Sequence, residues 1–119
     1  MTADDTITND VLMHHLTAFG NNDLDEIMKD YTEQSQVLTP DGPLKSLDAI
    51  RKFFADYFFT IPVGSTFEMK QLIVSDNIAY IVWTSKSQVV EIPLGTDTFF
   101  FEGNKIRLHT VAAYKQPNV

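Results

Sequence analysis

Cysteine is absent from the 119 residues, which excludes a disulfide and a thiolate nucleophile. With only three histidines to supply the other strong zinc ligand, no structural zinc site is expected, and no cofactor fingerprint is present. Positive charge is scarce: nine Lys and Arg against sixteen Asp and Glu leave a net charge of −7. Such a chain repels phosphate backbones and anionic lipid, so neither nucleic acid nor a membrane is an expected partner. Long apolar runs are missing too. The longest, Tyr57 to Val63, is broken by Thr60 and Pro62, far short of the roughly 20 residues a bilayer span needs. Met1-Thr2-Ala3-Asp4-Asp5 is acidic and carries no apolar leader segment, so the expected setting is cytoplasmic. The sequence has no Gly-rich phosphate loop, no nucleophile elbow and no HExxH pattern. It has no internal repeat, linker or low-complexity segment, which predicts one domain over 1–119 with flexible ends at 1–5 and 116–119.

What is present is bulk. Hydrophobic residues make up 44% of the chain and aromatics 12%, with nine Phe among them. Helical spacing of Ile7, Val11, Leu12, Leu16, Ala18 and Phe19 predicts a helix from about Ile7 to Phe19. Thr6 is its N-cap, and Gly20-Asn21-Asn22 is its stop. A short helix over Asp23 to Asp30 follows, capped by Asn22. Residues 36–39 read as a short strand, and Pro40-Asp41-Gly42-Pro43 as a turn. Leu47 to Phe59 is a third helix, capped by Ser46, with Ile50, Phe53, Phe54, Tyr57 and Phe58 inward. Beyond Gly64 the period becomes two. Strands are predicted over 66–75, 78–90, 96–102 and 105–115, with turns at Asp76-Asn77 and Gly103-Asn104 and a break at Pro93 to Gly95. Helices followed by an antiparallel meander give an α+β domain, with the helices on one face of a curved sheet.

Two side chains stand out. At about 100° per residue, His15 lies near ~80°, in the middle of the apolar arc of the first helix, and His14 lies at its edge. A histidine facing a core needs a partner or a cavity, so His15 is either a bonded core residue or a pocket donor, acid or base. Asp97 shares a strand face with Phe99 and Phe101. It is either a solvated strand start or a carboxyl set against aromatic walls. Asp41 suits local turn bonding. Trp83, Tyr31 and Tyr57 are core residues or cavity walls with polar tips. His109, two residues from Arg107, reads as part of a solvated sheet face.

Three segments carry a resemblance: Gly20-Asn21-Asn22-Asp23-Leu24-Asp25-Glu26-Ile27, then Val37-Leu38-Thr39-Pro40-Asp41-Gly42, then Leu47-Asp48-Ala49-Ile50-Arg51-Lys52-Phe53-Phe54. The layout, over about residues 6–115, resembles the SnoaL-like branch of the nuclear transport factor 2-like superfamily, which includes ketosteroid isomerases and polyketide cyclases. The resemblance implies a cone-shaped α+β barrel, with three helices closing a strongly bent antiparallel sheet over one deep apolar pocket. It also implies a homodimer formed through the outer sheet face. Aligned with the isomerases, His15 falls at the oxyanion-hole tyrosine and Asp97 at the second, protonated oxyanion donor. Thr39 occupies the place of the general base, with Asp41 as its displaced substitute. Polyketide cyclases use an Asp and His pair, which His15 and Asp97 would form. Phe19, Phe54, Tyr57, Trp83, Phe99 and Phe101 would shape the walls around a hydrophobic small molecule. Two functions fit: an isomerase or cyclase acting on a carbonyl-containing metabolite by acid/base and oxyanion chemistry, with no cofactor, or a non-catalytic ligand-binding or dimerisation module.

Overall fold

The computed structural model of the chain describes residues 3–117. Its elements in order are α1 (Ala3–Gly20), α2 (Leu24–Met28), β1 (Tyr31–Thr39), β2 (Gly42–Leu44), α3 (Leu47–Thr60), β3 (Thr66–Ser75), β4 (Ile78–Lys86), β5 (Val90–Glu102) and β6 (Lys105–Pro117). The fold is α+β, with one six-stranded sheet ordered β2-β1-β6-β5-β4-β3. The sheet is curled but not closed, and β2 and β3 are its free edges. The expected meander is present from β3 to β6. The sheet is not wholly antiparallel, because β1 pairs parallel with β6. Among the described residues no helix is long and apolar enough to cross a membrane.

α1 buries Thr8, Val11, Leu12, His15 and Ala18, the i, i+3, i+4, i+7 stripe of a helix lying on a core. It begins at Ala3, so Thr6 lies inside it rather than at its cap, and residues 3–5 of the expected flexible end are helical. At the other end, residues 116 and 117 belong to β6; residues 1, 2, 118 and 119 lie outside the described part. Asn22, at φ 50°, takes the left-handed turn after α1. The cap of α2 is Asp23 rather than Asn22: its side chain accepts from the Glu26 backbone N–H at 3.2 Å. Ser46 caps α3 by accepting from the Ala49 N–H at 3.0 Å, and the inner face of α3 buries Ile50, Phe54 and Tyr57.

Several strand boundaries differ from the expectation: Gly42 and Pro43, expected in a turn, open the short strand β2, β6 runs on to Pro117, and β1, β4 and β5 differ for local reasons. β1 starts at Tyr31 rather than 36, because a register shift between Tyr31 and Gln36 lets its polar first half follow β6. β4 ends at Lys86, and Ser87 turns the chain with its N–H bonded to the Val90 carbonyl at 2.9 Å. β5 runs unbroken through Pro93 and Gly95, since irregular pairing between Glu91 and Leu94 absorbs the proline. Gly95 lies opposite Trp83, and a Cβ there would fall 2.4 Å from the indole. The glycine that reads as a breaker is therefore the clearance under a large ring. The core, including Leu12, Ile27, Ile50, Phe54, Ile81, Phe99 and Ile106, lies between the helices and the inner sheet face.

Candidate functional site

Alternation along β5 turns Gly95, Asp97, Phe99 and Phe101 inward, all of them buried. Asp97 is therefore not a solvated strand start. Its carboxylate is held from both sides: the Trp83 indole Nε1–H donates to Oδ1 at 2.7 Å, and His109 Nε2 lies 2.6 Å from Oδ2. His109 Nδ1 lies 2.9 Å from the Tyr31 hydroxyl. Matching donors to acceptors assigns one arrangement to an ionised Asp97. The Tyr31 O–H donates to Nδ1, which places the imidazole proton on Nε2, and that proton is given to the carboxylate. The result is a continuous buried chain, Tyr31–His109–Asp97–Trp83, spanning β1, β6, β5 and β4. Burial raises the Tyr31 phenol well above its ordinary range, and the charge of Asp97 adds to it, so the phenol stays protonated as a donor.

His109 is the residue that sequence reading misplaced. It is 1% exposed and stacks on Phe99, with ring centroids 4.2 Å apart. Arg107 misleads because the pairing slips there: Phe100 faces Leu108 but Phe101 faces Ile106, which leaves Arg107 as the extra residue of a β-bulge. The bulge reverses the alternation, so Arg107 and His109 do not share a face. Counting back from Val111 instead would place His109 inward, since the two lie two positions apart with no slip between them.

His15 enters the same space from α1. Its ring meets Phe99, Phe54, His109 and Tyr31 edge-on, with centroids 5.1, 5.7, 5.7 and 6.1 Å away. It does not form the expected pair with Asp97, whose imidazole partner is His109. The His15 Nδ1 has no hydrogen-bond partner; the nearest carboxylate oxygen, Asp30 Oδ2, is 4.0 Å away, beyond bonding range. Burial holds His15 well below the ordinary histidine value, with His109 and His14 adding repulsion, so the ring is neutral. Among the described residues, the Tyr57 hydroxyl is the other buried side-chain polar atom without a partner. Burial also raises its pKa, with a further contribution from Asp97. Each such orphan costs about 1–3 kcal/mol relative to a paired group.

His15, Tyr57, Asp97, Trp83 and His109 line one cavity, walled by Phe19, Phe53, Phe54, Phe67 and Phe99. Its room is about 30 Å³, the share of one water molecule in the liquid. Phe101 is not in its wall; it lies beside Phe99, with centroids 6.0 Å apart. Phe53, Tyr57 and Val111 separate this cavity from an outer groove of about 470 Å³, lined also by Thr39, Asp41, Lys52 and Lys115. Asp41 is exposed in that groove and does not line the inner cavity. The Thr39 hydroxyl is taken up by its own turn, donating to the Gly42 carbonyl at 3.0 Å and accepting from the Asp41 N–H at 3.1 Å. Among the described residues, no group of three or more His, Cys, Asp or Glu is placed to hold a metal ion.

The fold is shared with solved structures of low sequence identity. The chain is similar to the epoxide hydrolase/cyclase-like enzyme SalBIII, which has a role in pyran ring formation in the polyether salinomycin. That match has a TM-score of 0.79 at 15% identity and covers 95% of each chain. It is similar to a Kribbella flavida DSM 17836 protein provisionally assigned as a ketosteroid isomerase, with a TM-score of 0.76 at 10% identity, covering 93% of this chain and 80% of that one. It is also similar to a SnoaL-like protein of unknown function from Burkholderia thailandensis E264, with a TM-score of 0.72 at 14% identity, covering 92% and 95%. No curated protein sequence matches significantly. The SnoaL-like domain profile matches residues 12–114, which takes in the whole arrangement from α1 to β6. The chain belongs to the SnoaL-like domain family.

Proposed function

We propose that the chain binds a small, largely apolar molecule bearing a carbonyl or hydroxyl oxygen, and moves a proton on it in an isomerase- or cyclase-type reaction. The observation that carries this reading is the buried Asp97–His109–Tyr31 chain, which opens on an aromatic cavity where two further polar atoms lack partners. Asp97 is the catalytic base. Two N–H donors fix its carboxylate, and each oxygen keeps acceptor capacity for a proton from the ligand. Both nitrogens of His109 are engaged, so His109 positions the base and does not touch the ligand. His15 and Tyr57 supply the polar contacts to the ligand oxygen, where negative charge grows as the proton leaves. The ligand oxygen then gives the Tyr57 hydroxyl the partner it lacks.

A cavity of 30 Å³ is far below the roughly 300–1,000 Å³ of sites for drug-sized ligands. Entry therefore needs the mouth to open, and Phe67, 43% exposed and stacked on Trp83 at 5.3 Å, is the side chain freest to move. The test is α-hydrogen exchange of aromatic and steroidal ketones in deuterium oxide, with binding followed by Trp83 fluorescence. Asp97→Asn should lower exchange about 10²- to 10⁴-fold while binding persists. Ketones that bind but do not exchange in the unaltered protein would overturn the catalytic reading. They would leave the binding module, which one observation favours: Thr39, at the isomerase base position, has its hydroxyl committed to the turn. The reading also includes a homodimer through the outer sheet face.

A further inference from the structure

We propose that His14 and Asp30 form a proton path between solvent and His15, by which the aromatic cavity exchanges protons with water from its inner end; this rests on the cavity being the reaction site. The geometry is a row of side chains running from surface to core. Glu26 Oε1 lies 2.8 Å from His14 Nε2, and His14 Nδ1 lies 2.8 and 2.9 Å from the two oxygens of Asp30. Asp30 Oδ2 lies 4.0 Å from His15 Nδ1. The outer members are open to water, with His14 and Glu26 side chains 35% and 39% exposed. The inner members, Asp30 and His15, are 6% and 3% exposed. The row ends on the buried His15 Nδ1, which has no hydrogen-bond partner.

The row suits the role chemically. Both His14 nitrogens face carboxylates, so both carry protons and the ring is an imidazolium. Its hydrogen bonds to Glu26, then to Asp30, raise its pKa above the ordinary value. Burial raises the Asp30 carboxyl, opposed by His14 and by Lys105 on β6, so a proton can pass through Asp30. Glu26 also faces Lys29, 3.0 Å away. Inward transfer balances as follows. His14 Nδ1 gives its proton to Asp30 and becomes neutral. Asp30 closes the 4.0 Å gap and passes the proton to His15 Nδ1. His15 releases its other proton into the cavity and returns to neutrality, and His14 takes a new proton from water. Only N–H and O–H bonds form and break, and one proton enters. Outward transfer is the reverse. Such a path matters because a ligand that fills the cavity displaces the water that would otherwise carry the proton.

The test is the water-exchange rate of the His15 ring N–H, read by ¹⁵N NMR on the ligand-free full chain. His14→Ala should slow it by about tenfold or more, and added imidazole, seated in the vacated surface site, should restore it. Asp30→Asn should slow it without rescue by imidazole. The Trp83 indole N–H, outside the row, should exchange as before in each variant. Unchanged His15 exchange in His14→Ala, slowing that imidazole does not relieve, or equal slowing at Trp83 would each overturn the path. If Asp30→Asn does not fold, His14→Ala with imidazole decides alone. No ketone is present in this experiment, so the path fails or stands separately from the ligand reading.

Discussion

Two adjacent histidines on α1 are driven in opposite directions, and the protein's acid–base stability carries both signs. His14 projects to the surface between Glu26 and Asp30, whose hydrogen bonds raise its pKa. His15 projects into the core, where burial lowers its pKa well below the ordinary value. Between the unfolded value of about 6.5 and its higher folded value, His14 holds more proton in the native state. The stability it contributes is therefore present below pH ~6.5 and is lost as pH rises through the folded value. His15 holds less proton in the native state below pH ~6.5. Its contribution is present above that pH and is lost as pH falls toward its folded value. Urea midpoints measured across pH should show both limbs. His14→Gln should flatten the decline above pH ~6.5, and His15→Phe should flatten the decline below it. If the His15→Phe curve kept the full acid limb, the neutral buried imidazole would not be its source.

At the scale of elements, the Asn22 side chain helps tie the helical layer to itself. Asn22 donates to the Phe19 carbonyl at 3.0 Å and to the Ile61 carbonyl at 3.2 Å, and accepts from the Val63 N–H at 2.9 Å. It joins the end of α1 to the end of α3, beside Phe19 of the cavity wall. Asn22→Ala should cost about 1–3 kcal/mol from the lost bonds and the strained φ of 50°. Asn22→Gly, which relieves φ alone, should recover only part of it; full recovery in thermal denaturation would mean that the bonds contribute nothing. The helices and the β3–β6 meander were legible in the sequence because their periods are uninterrupted. His15 was placed inward by helical arithmetic alone. The parallel β1–β6 pairing was not legible, because polar Thr32 to Gln36 shows no alternation and the pairing partner lies some 70 residues away. His109 was hidden by the bulge at Arg107, whose guanidinium is drawn to the Gln34 carbonyl of β1. Half of the buried Asp97–His109 pair was thus masked by a one-residue slip, a feature that a period-two reading cannot register.

Among the described residues, the helices fill one face of the sheet and leave the other uncovered. On the uncovered face, β4, β5 and β6 bring Ile78, Phe100 and Leu108 into one cross-strand row. Ile73 faces Tyr80 in the next row, and Leu94 faces Tyr114 further along. Ile73, Ile78, Tyr80, Leu94, Phe100 and Tyr114 are 37–60% exposed, a clustering of large apolar groups that marks association surfaces on soluble proteins. Edge-to-edge pairing is the less favourable route. The β2 edge is three residues long, and the β3 edge is bent where its register slips between Met69 and Gln71, with a Lys70–Glu68 ion pair beside the slip. Both are devices that blunt strand addition. A two-fold pairing of sheet faces would place each apolar row against its own copy and leave both cavity mouths free, since the helices lie on the opposite side. Sedimentation equilibrium should therefore give twice the chain mass of 13.5 kDa. Phe100→Lys, at the centre of the row, should return it to 13.5 kDa by burying an unpaired charge against its own copy, with the fold unchanged because the side chain points away from the core. A single-chain mass for the unaltered protein at high concentration, or a dimer that survives the lysine, would mean that this face is not where two copies meet.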